Sequence, residues 1–269
     1  MTFAVWLTAL FAVFTFSSCL DSNDDGQRQG SEIVKVAGMM GTYEFESAGG
    51  YKLVPTNMSS ITMNIDTKYA FIAYSFNSND AKEKTRIPVS LTGVMPIPER
   101  YAHNSLDGMK EFANAPIRNI TSGGSYELFF PISFWDANTM FLPITYFIRD
   151  LGDQKELTAE VASHSFEVYY DLEDKAGDDQ TLVLRVAHRV SDDSLNKDRS
   201  RRYNTNIYHI DLSYVLAQFK DKNKRMPGYI CVKYQGNNYS GSFVENEIRE
   251  ETVKVDYEAL LKIFDEQKK

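Results

Sequence analysis

A cysteine at position 19 has the setting that points most directly to a chemical modification. Residues 2–18 carry no charge and are mostly apolar, and Ser17 and Ser18 place small side chains directly before the Cys19 thiol. A short apolar segment, small residues and then a cysteine are typical of a bacterial lipoprotein leader. The pattern predicts that residues 1–18 are a signal peptide and that the sulfur of Cys19 is the point of lipid attachment.

The apolar run before Cys19 spans about 15 residues, whereas a helix needs roughly 20 to cross a bilayer. It therefore suits a cleaved leader better than a membrane-spanning helix. A lipidated cysteine with two or more acyl chains anchors stably, because each buried CH₂ contributes about 0.8 kcal/mol. No Lys or Arg precedes Cys19, which departs from the basic start of an ordinary leader. The alternative is a buried N-terminal helix with an incidental cysteine.

The acidic residues after Cys19 also match the spacing of a calcium-binding loop. Such a loop needs oxygen ligands at fixed positions, and the chain offers them at Asp21, Asn23, Asp25 and Glu32. The position that should be apolar is Arg28, and the pattern from Ile33 onward predicts a strand where a calcium site needs a helix. We therefore interpret residues 19–31 as the lipidated cysteine followed by a flexible, solvated tether.

Histidines and short motifs offer no other chemistry. The four histidines are His103, His164, His188 and His209, and none has a neighbour at the spacing of metal ligands. The last three lie on separate predicted strands, and we interpret them as structural. Neither a nucleophile elbow, a P-loop nor a dinucleotide-binding glycine motif occurs. The sequence predicts no catalytic residue, no metal site and no cofactor.

Composition limits the partners of the chain. The formal net charge of −8 argues against nucleic acid, because neutralising phosphates needs clustered Lys and Arg. The basic cluster at residues 197–202 lies in a stretch rich in Asp and Ser, and we interpret it as a solvated loop. The second cysteine, Cys231, lies on a predicted strand, on the face opposite Ile230 and Val232. We interpret it as a structural thiol.

The first domain is predicted at residues 32–112, and its strands are short and separated by turn signals. Such a series is typical of a small closed or partly closed β-barrel of the OB type. The strands are predicted at residues 33–37, 42–46, 51–55, 68–76 and 86–98. Residues 99–122 are less regular, and we place the domain boundary there.

A second series of strands is predicted in residues 120–269. Their number and spacing indicate a β-sandwich. The strands are predicted at residues 125–135, 139–148, 164–170, 181–188, 206–212 and 229–234, with a short helix at 214–219. Residues 256–265 have the apolar stripe of an amphipathic helix, with Asp256 as its N-cap. The fold class is therefore all-β, an OB-like barrel followed by a β-sandwich with a short C-terminal helix.

Several of these segments together resemble the NigD-like lipoproteins of Bacteroidetes. Residues 17–21 are similar to the end of the family's leader, 133–138 to its aromatic hairpin, 182–189 to a strand ending in histidine, and 210–213 to the segment after it. The family has an N-terminal OB-type barrel and a C-terminal β-sandwich. It takes its name from a bacteriocin-associated locus, and the resemblance carries over no catalytic residue.

The resemblance also bears on the location of the protein. Acids that directly follow the lipidated cysteine are similar to a surface-export signal of Bacteroidetes, which makes Asp21, Asp24 and Asp25 candidates for that signal. The expected location is the outer membrane, with the acids indicating the cell surface.

We expect a non-enzymatic protein of the cell envelope, held to the membrane through Cys19. It would bind or scaffold an unidentified protein or glycan, and no nucleic acid. Two alternatives stay open at this point. One is a surface glycan-active protein or other hydrolase whose active site is assembled from dispersed residues. The other is a bacteriocin-associated lipoprotein of the immunity type.

Overall fold

The structure, a computed structural model, describes residues 26–38, 43–58, 65–81, 85–104, 106–121, 130–174, 179–191, 202–237 and 248–267. The chain divides into two compact units, Met1–Glu99 and Arg100–Lys269. Within the described ranges, no helix is both long enough and apolar enough to span a bilayer.

The first unit is a closed five-stranded barrel. Its strands pair in the order β1-β2-β3-β5-β4, and β4 returns to pair with β1. A single helical turn, α1 (Ser78–Ala81), follows β4. The strands are β1 (Gln27–Ala37), β2 (Glu44–Ser47), β3 (Lys52–Pro55), β4 (Tyr69–Asn77) and β5 (Arg86–Ile97).

Apolar side chains from alternate positions fill the barrel, because successive residues of a strand point to opposite faces. The buried residues Val34, Phe45, Leu53, Ile72 and Val89 come from all five strands. The five strands predicted for this part of the chain are therefore confirmed, and so is the barrel.

The first strand begins earlier than the sequence predicts. β1 starts at Gln27, so the last five residues of the predicted tether, 27–31, lie in the barrel wall. Gln27 pairs with Asn77 and Ser31 with Ala73. These residues are polar and show no apolar alternation, so only their backbone pairing with β4 makes them a strand.

The second unit is built on eight strands in one large curled sheet. Their order is β13-β12-β10-β9-β6-β11-β8-β7. They are β6 (Glu99–His103), β7 (Ser133–Asp136), β8 (Thr139–Ile148), β9 (His164–Asp171), β10 (Thr181–Val190), β11 (Arg202–Asp211), β12 (Tyr229–Gly236) and β13 (Arg249–Asp256). The helices are α2 (Leu106–Phe112), α3 (Gln154–Ala162), α4 (Ser213–Asn223) and α5 (Tyr257–Gln267).

The curled sheet packs against itself around one core. Side chains of β8 meet those of β9 and β10 there, and the rings of Tyr146 and Phe166 lie 4.9 Å apart between centroids. Two layers of strands over a shared core give the sandwich-like packing expected from the sequence. The predicted all-β class is confirmed.

Several elements of the fold were not predicted. The last strand of the barrel ends at Ile97, and β6 and α2, which follow it, belong to the second unit. β13 was not predicted, since five of its eight residues are charged. Only Val253 and Val255 of this strand pack against the core.

Residues 113–121, here called the crossing segment, close one end of the curled sheet. They pair with three strands in turn, Ala115 with His188, Ile117 with Gly236 and Asn119 with Thr145. Ile117 and Ile120 are buried in the core. The sequence predicts an irregular connection here, and the structure shows that it joins both layers of the sheet.

The C-terminal helix is confirmed with its predicted cap. The side chain of Asp256 accepts a hydrogen bond from the backbone N–H of Ala259 at 2.9 Å. Tyr257 is buried, and its hydroxyl donates to the carbonyl of Ala137 at 2.6 Å. The helix therefore docks on the β7–β8 turn.

A glycine in β1 leaves room for a tyrosine inside the barrel. A Cβ atom at Gly30 would lie 2.8 Å from Cζ of Tyr74. We expect Gly30→Ala to displace that ring and to lower the free energy of unfolding by about 1–3 kcal/mol, measured by urea denaturation. The matched control is Gly93→Ala in β5, where the nearest atom would be 3.8 Å away. Equal effects of the two changes would contradict this account.

Candidate functional site

The residues predicted for lipidation and export, Cys19, Asp21, Asp24 and Asp25, lie outside the described residues. Glu32, which occupies the last position of the calcium-type pattern, is described. It lies in β1, and its carboxylate accepts a hydrogen bond from the hydroxyl of Tyr74 at 2.6 Å. The second half of that pattern is thus a barrel strand and not a loop.

Glu32 is the ionisable group of the barrel interior. Burial raises the pKa of its carboxyl, and hydrogen bonds from Tyr74 and Ser47 partly offset that effect. Burial also raises the pKa of Tyr74, with a further contribution from Glu32 itself. The pair is a hydrogen-bonded contact in the barrel wall, in which the Tyr74 hydroxyl donates and the Glu32 carboxylate accepts.

In the second unit, two of the three strand histidines meet. Nδ1 of His164 lies 2.9 Å from Nε2 of His188, and the rings stack with centroids 5.1 Å apart. On one side Nδ1 of His188 donates to the carbonyl of Pro116 at 2.8 Å. On the other side Nε2 of His164 lies 3.3 Å from the carboxylate of Glu160.

An arginine ends this chain of contacts, here called the histidine chain. The Nε–H of Arg149 donates to the Glu160 carboxylate at 2.7 Å, and its backbone N–H donates to the other oxygen at 3.1 Å. The histidine chain therefore runs from Arg149 through Glu160, His164 and His188 to Pro116. It passes between the end of β8, α3, β9, β10 and the crossing segment.

Counting protons fixes the bonding of the histidine chain. A carbonyl only accepts, so His188 must carry a proton on Nδ1. Two more protons are then needed, one between the two rings and one between His164 and Glu160. Two neutral imidazoles and a carboxylate supply only two in total. Complete bonding therefore needs one proton more, and His164 as an imidazolium would donate from both nitrogens.

Local structure brings Glu160 and His164 together. Asp153 caps the start of α3 by accepting from the N–H groups of Lys155 and Glu156 at 2.8 and 3.0 Å. The helix ends at Ala162, and β9 begins at His164. The two residues are four positions apart, a spacing that was visible in the sequence. The sequence alone does not single out this pair, because a glutamate four residues before a histidine is not a metal-ligand motif.

Access to solvent decides what the histidine chain can do. Glu160 is 1% exposed, His188 3% and His164 7%. These groups can order a proton and stabilise the core, but a substrate cannot reach them. The other two histidines lie apart: His209 packs on the ring of Phe141, and His103 is exposed beside Tyr169.

A network of ion pairs covers the outer face of β10, β12 and β13. Asp174 accepts from both Arg185 and Lys233, the latter at 2.7 Å. Glu250 pairs with Arg185 at 2.7 Å. Burial would lower the pKa of Arg185, but the bonds to Glu250 and Asp174 outweigh it and the pKa rises.

Asp171 and Asp174, near the end of β9, are held against this network and are not fully solvated. Asp174 is only 16% exposed in its side chain, and Asp171 lies 4.0 Å from the guanidinium of Arg185. These carboxylates neutralise cations on the sheet. They do not face each other across a cleft, as glycoside hydrolysis would need.

Beside this network lies a small recess of about 40 Å³, lined in part by His188, Arg185 and Tyr234. Its size suits a water molecule or two. Cys231 lies on the same face of β12 as Lys233 and is 2% exposed. Burial raises the pKa of its thiol. The interpretation of Cys231 as a structural thiol is consistent with this burial.

No family model matches the sequence, and no curated protein matches it. Solved structures do. One is a "putative lipoprotein" from Bacteroides fragilis, with a TM-score of 0.69 and 21% identity over 85% of this chain and 98% of that one. A protein of unknown function from Bacteroides vulgatus has a TM-score of 0.51 and 13% identity, over 85% and 90%.

A NigD-like immunity protein from Bacteroides caccae is also similar, with a TM-score of 0.48 and 13% identity over 84% of this chain and 91% of that one. None of the three descriptions names an enzymatic activity. The fold implied by the resemblance to NigD-like lipoproteins is confirmed. The class that the fold defines is a barrel followed by a curled sheet, shared with the Bacteroides fragilis protein.

The ion-pair network yields a test of its weight in stability. Asp174 holds two cations, so Asp174→Asn leaves Arg185 and Lys233 with one carboxylate fewer. We expect a loss of about 1–3 kcal/mol in the free energy of unfolding. Glu250 is 44% exposed, and Glu250→Gln is the matched control with an expected loss below about 1 kcal/mol. Urea denaturation compares the two, and a larger effect at Glu250 would contradict the assignment.

Proposed function

We propose that this chain is a lipid-anchored protein of the cell envelope that acts by binding or scaffolding. The pattern of an uncharged leader, Ser17-Ser18-Cys19 and an acidic run supports the anchor. The shared fold with a "putative lipoprotein" of Bacteroides fragilis agrees with it. The leader pattern carries the proposal, because fold alone does not define function.

The burial of the ionisable groups supports a role without catalysis. The histidine chain is closed to substrates, and the outer carboxylates are used in pairing with Arg185 and Lys233. Among the described residues, no group of three or more His, Cys, Asp or Glu side chains is placed to hold a metal ion. These arrangements favour stability over chemistry and fit a rigid module carried on a tether.

Anchoring is tested by metabolic labelling with palmitate in the native host. Wild-type protein should take up label and fractionate with membranes, because thioether-linked acyl chains hold it there. Cys19→Ala should lose the label and leave the membrane fraction. Cys231→Ala is the matched control and should keep both, since these are the two cysteines of the chain. Label on Cys19→Ala would overturn the proposed anchor.

The acidic run is proposed to direct the protein to the cell surface. A triple change of Asp21, Asp24 and Asp25 to Asn should keep the palmitate label but remove sensitivity to protease added to intact cells. The control removes as much charge from exposed positions of the second unit, with Asp150→Asn, Asp221→Asn and Glu173→Gln. If wild-type protein already resists the protease, the surface location is wrong while the anchor still holds.

A further inference from the structure

The histidine chain joins the core of the curled sheet to the segment that closes its end. We propose that uptake of a further proton by the histidine chain makes the position of the crossing segment depend on pH. In acid, the crossing segment would be held less firmly against the sheet. The inference does not rest on lipidation or on the proposed location.

Charged and titratable groups face the two rings from several elements, and Arg185, Lys233 and Glu250 line the same small recess as His188. Glu160 comes from α3, Arg149 follows β8, and the ring of Tyr146 in β8 lies 4.6 Å from His164 and 5.7 Å from His188 between centroids. The hydroxyl of Tyr146 bonds to Asn204, and burial raises its pKa to about 12. Glu160 is therefore the acid, Arg149 the permanent cation and the histidines the groups proposed to take up protons.

The histidine chain is fully hydrogen-bonded only when it holds three protons. With all three, every contact between Pro116 and Glu160 pairs one donor with one acceptor. Two N–H donors from Arg149 keep the Glu160 carboxylate ionised, because hydrogen bonds to the charged form favour it. A fourth proton taken up in acid therefore goes to Nε2 of His188.

That fourth proton breaks the pairing. Nε2 of His188 and Nδ1 of His164 then both carry hydrogen at a separation of 2.9 Å. Two imidazoliums would also lie with their centroids 5.1 Å apart, in a largely buried site where charges interact more strongly than in bulk water. The ring of His188 must turn away from His164 to relieve this contact.

The crossing segment is held where that ring would move. The His188 ring donates to the carbonyl of Pro116, and its backbone carbonyl accepts from the N–H groups of Asn114 and Ala115 at 3.0 and 3.2 Å. Phe166 stacks on the His188 ring with centroids 4.4 Å apart. Because the ring is bonded to Pro116, its displacement acts on residues 114–117.

The test is hydrogen exchange of the full mature chain at pH 7.5 and pH 5.0, with rates corrected for the intrinsic effect of pH. Acid should raise the opening equilibrium of the crossing-segment amides roughly 5- to 30-fold, as expected for the loss of one buried hydrogen bond. The amides of α4 serve as the internal reference within the same unit and should not change. An equal rise in both would mean general acid destabilisation and would overturn the proposal.

Two variants separate the titration from the packing of His188. His188→Gln keeps a donor for Pro116 but takes up no proton, so its opening should be independent of pH even if it is more open throughout. His103→Gln, at an exposed histidine of the same sheet, should keep the wild-type response. A wild-type response in His188→Gln would overturn the proposal.

Nitrogen-15 spectra of the histidine rings supply an independent readout. At pH 7.5 His164 should show both nitrogens protonated, and His188 should be neutral with its proton on Nδ1. Two neutral rings at that pH would remove the basis of the inference. A second imidazolium appearing in step with exchange of the crossing segment would support it.

Discussion

The hydrogen bond between the His188 ring and the Pro116 carbonyl is where the core of the second unit meets the segment that closes it. A curled sheet brings two layers together but leaves backbone groups at its open end, and buried N–H and C=O groups need partners. Segment 113–121 supplies those partners to β8, β10 and β12 in turn. It can do so only if it is held at the right depth, and the buried ring of His188 sets that depth. Ile117 and Ile120 then complete the core beneath it.

The two units each bury a glutamate, and they stabilise it in different ways. Glu32 in the barrel accepts from the hydroxyl of Tyr74, a neutral donor, so burial is the larger effect and the pKa of Glu32 rises. Glu160 receives two N–H groups from Arg149 and a ring nitrogen of His164. Buried carboxylates become affordable only when such partners are in place.

The sequence predicted those parts of the fold that follow from alternation. The five barrel strands and the helix capped by Asp256 have clear apolar periods, and they form. The β7–β8 hairpin forms over residues 133–148, while residues 125–129 of its predicted first strand lie outside the described residues. β13 was not predicted because charged residues flank Val253 and Val255 along the chain. The strand forms through its pairing with β12. The same holds for the polar start of β1, residues 27–31, which the sequence predicts as part of the tether. Backbone pairing with a distant strand leaves no mark on local composition.

The candidate site was less predictable, since it depends on side chains that meet only in the folded sheet. His164 and His188 lie 24 residues apart and face each other because β9 and β10 pair antiparallel. Arg149 and Pro116 come from segments with no strand pattern at all. The proposed lipidation signal, by contrast, is a linear motif, so Cys19 and the acids after it could be predicted without knowledge of the fold. A targeting motif can therefore be predicted from a short stretch of sequence, whereas contacts between buried side chains require the tertiary structure. Any ligand would follow the second pattern, because a binding surface on this sheet must also be assembled from residues on separate strands.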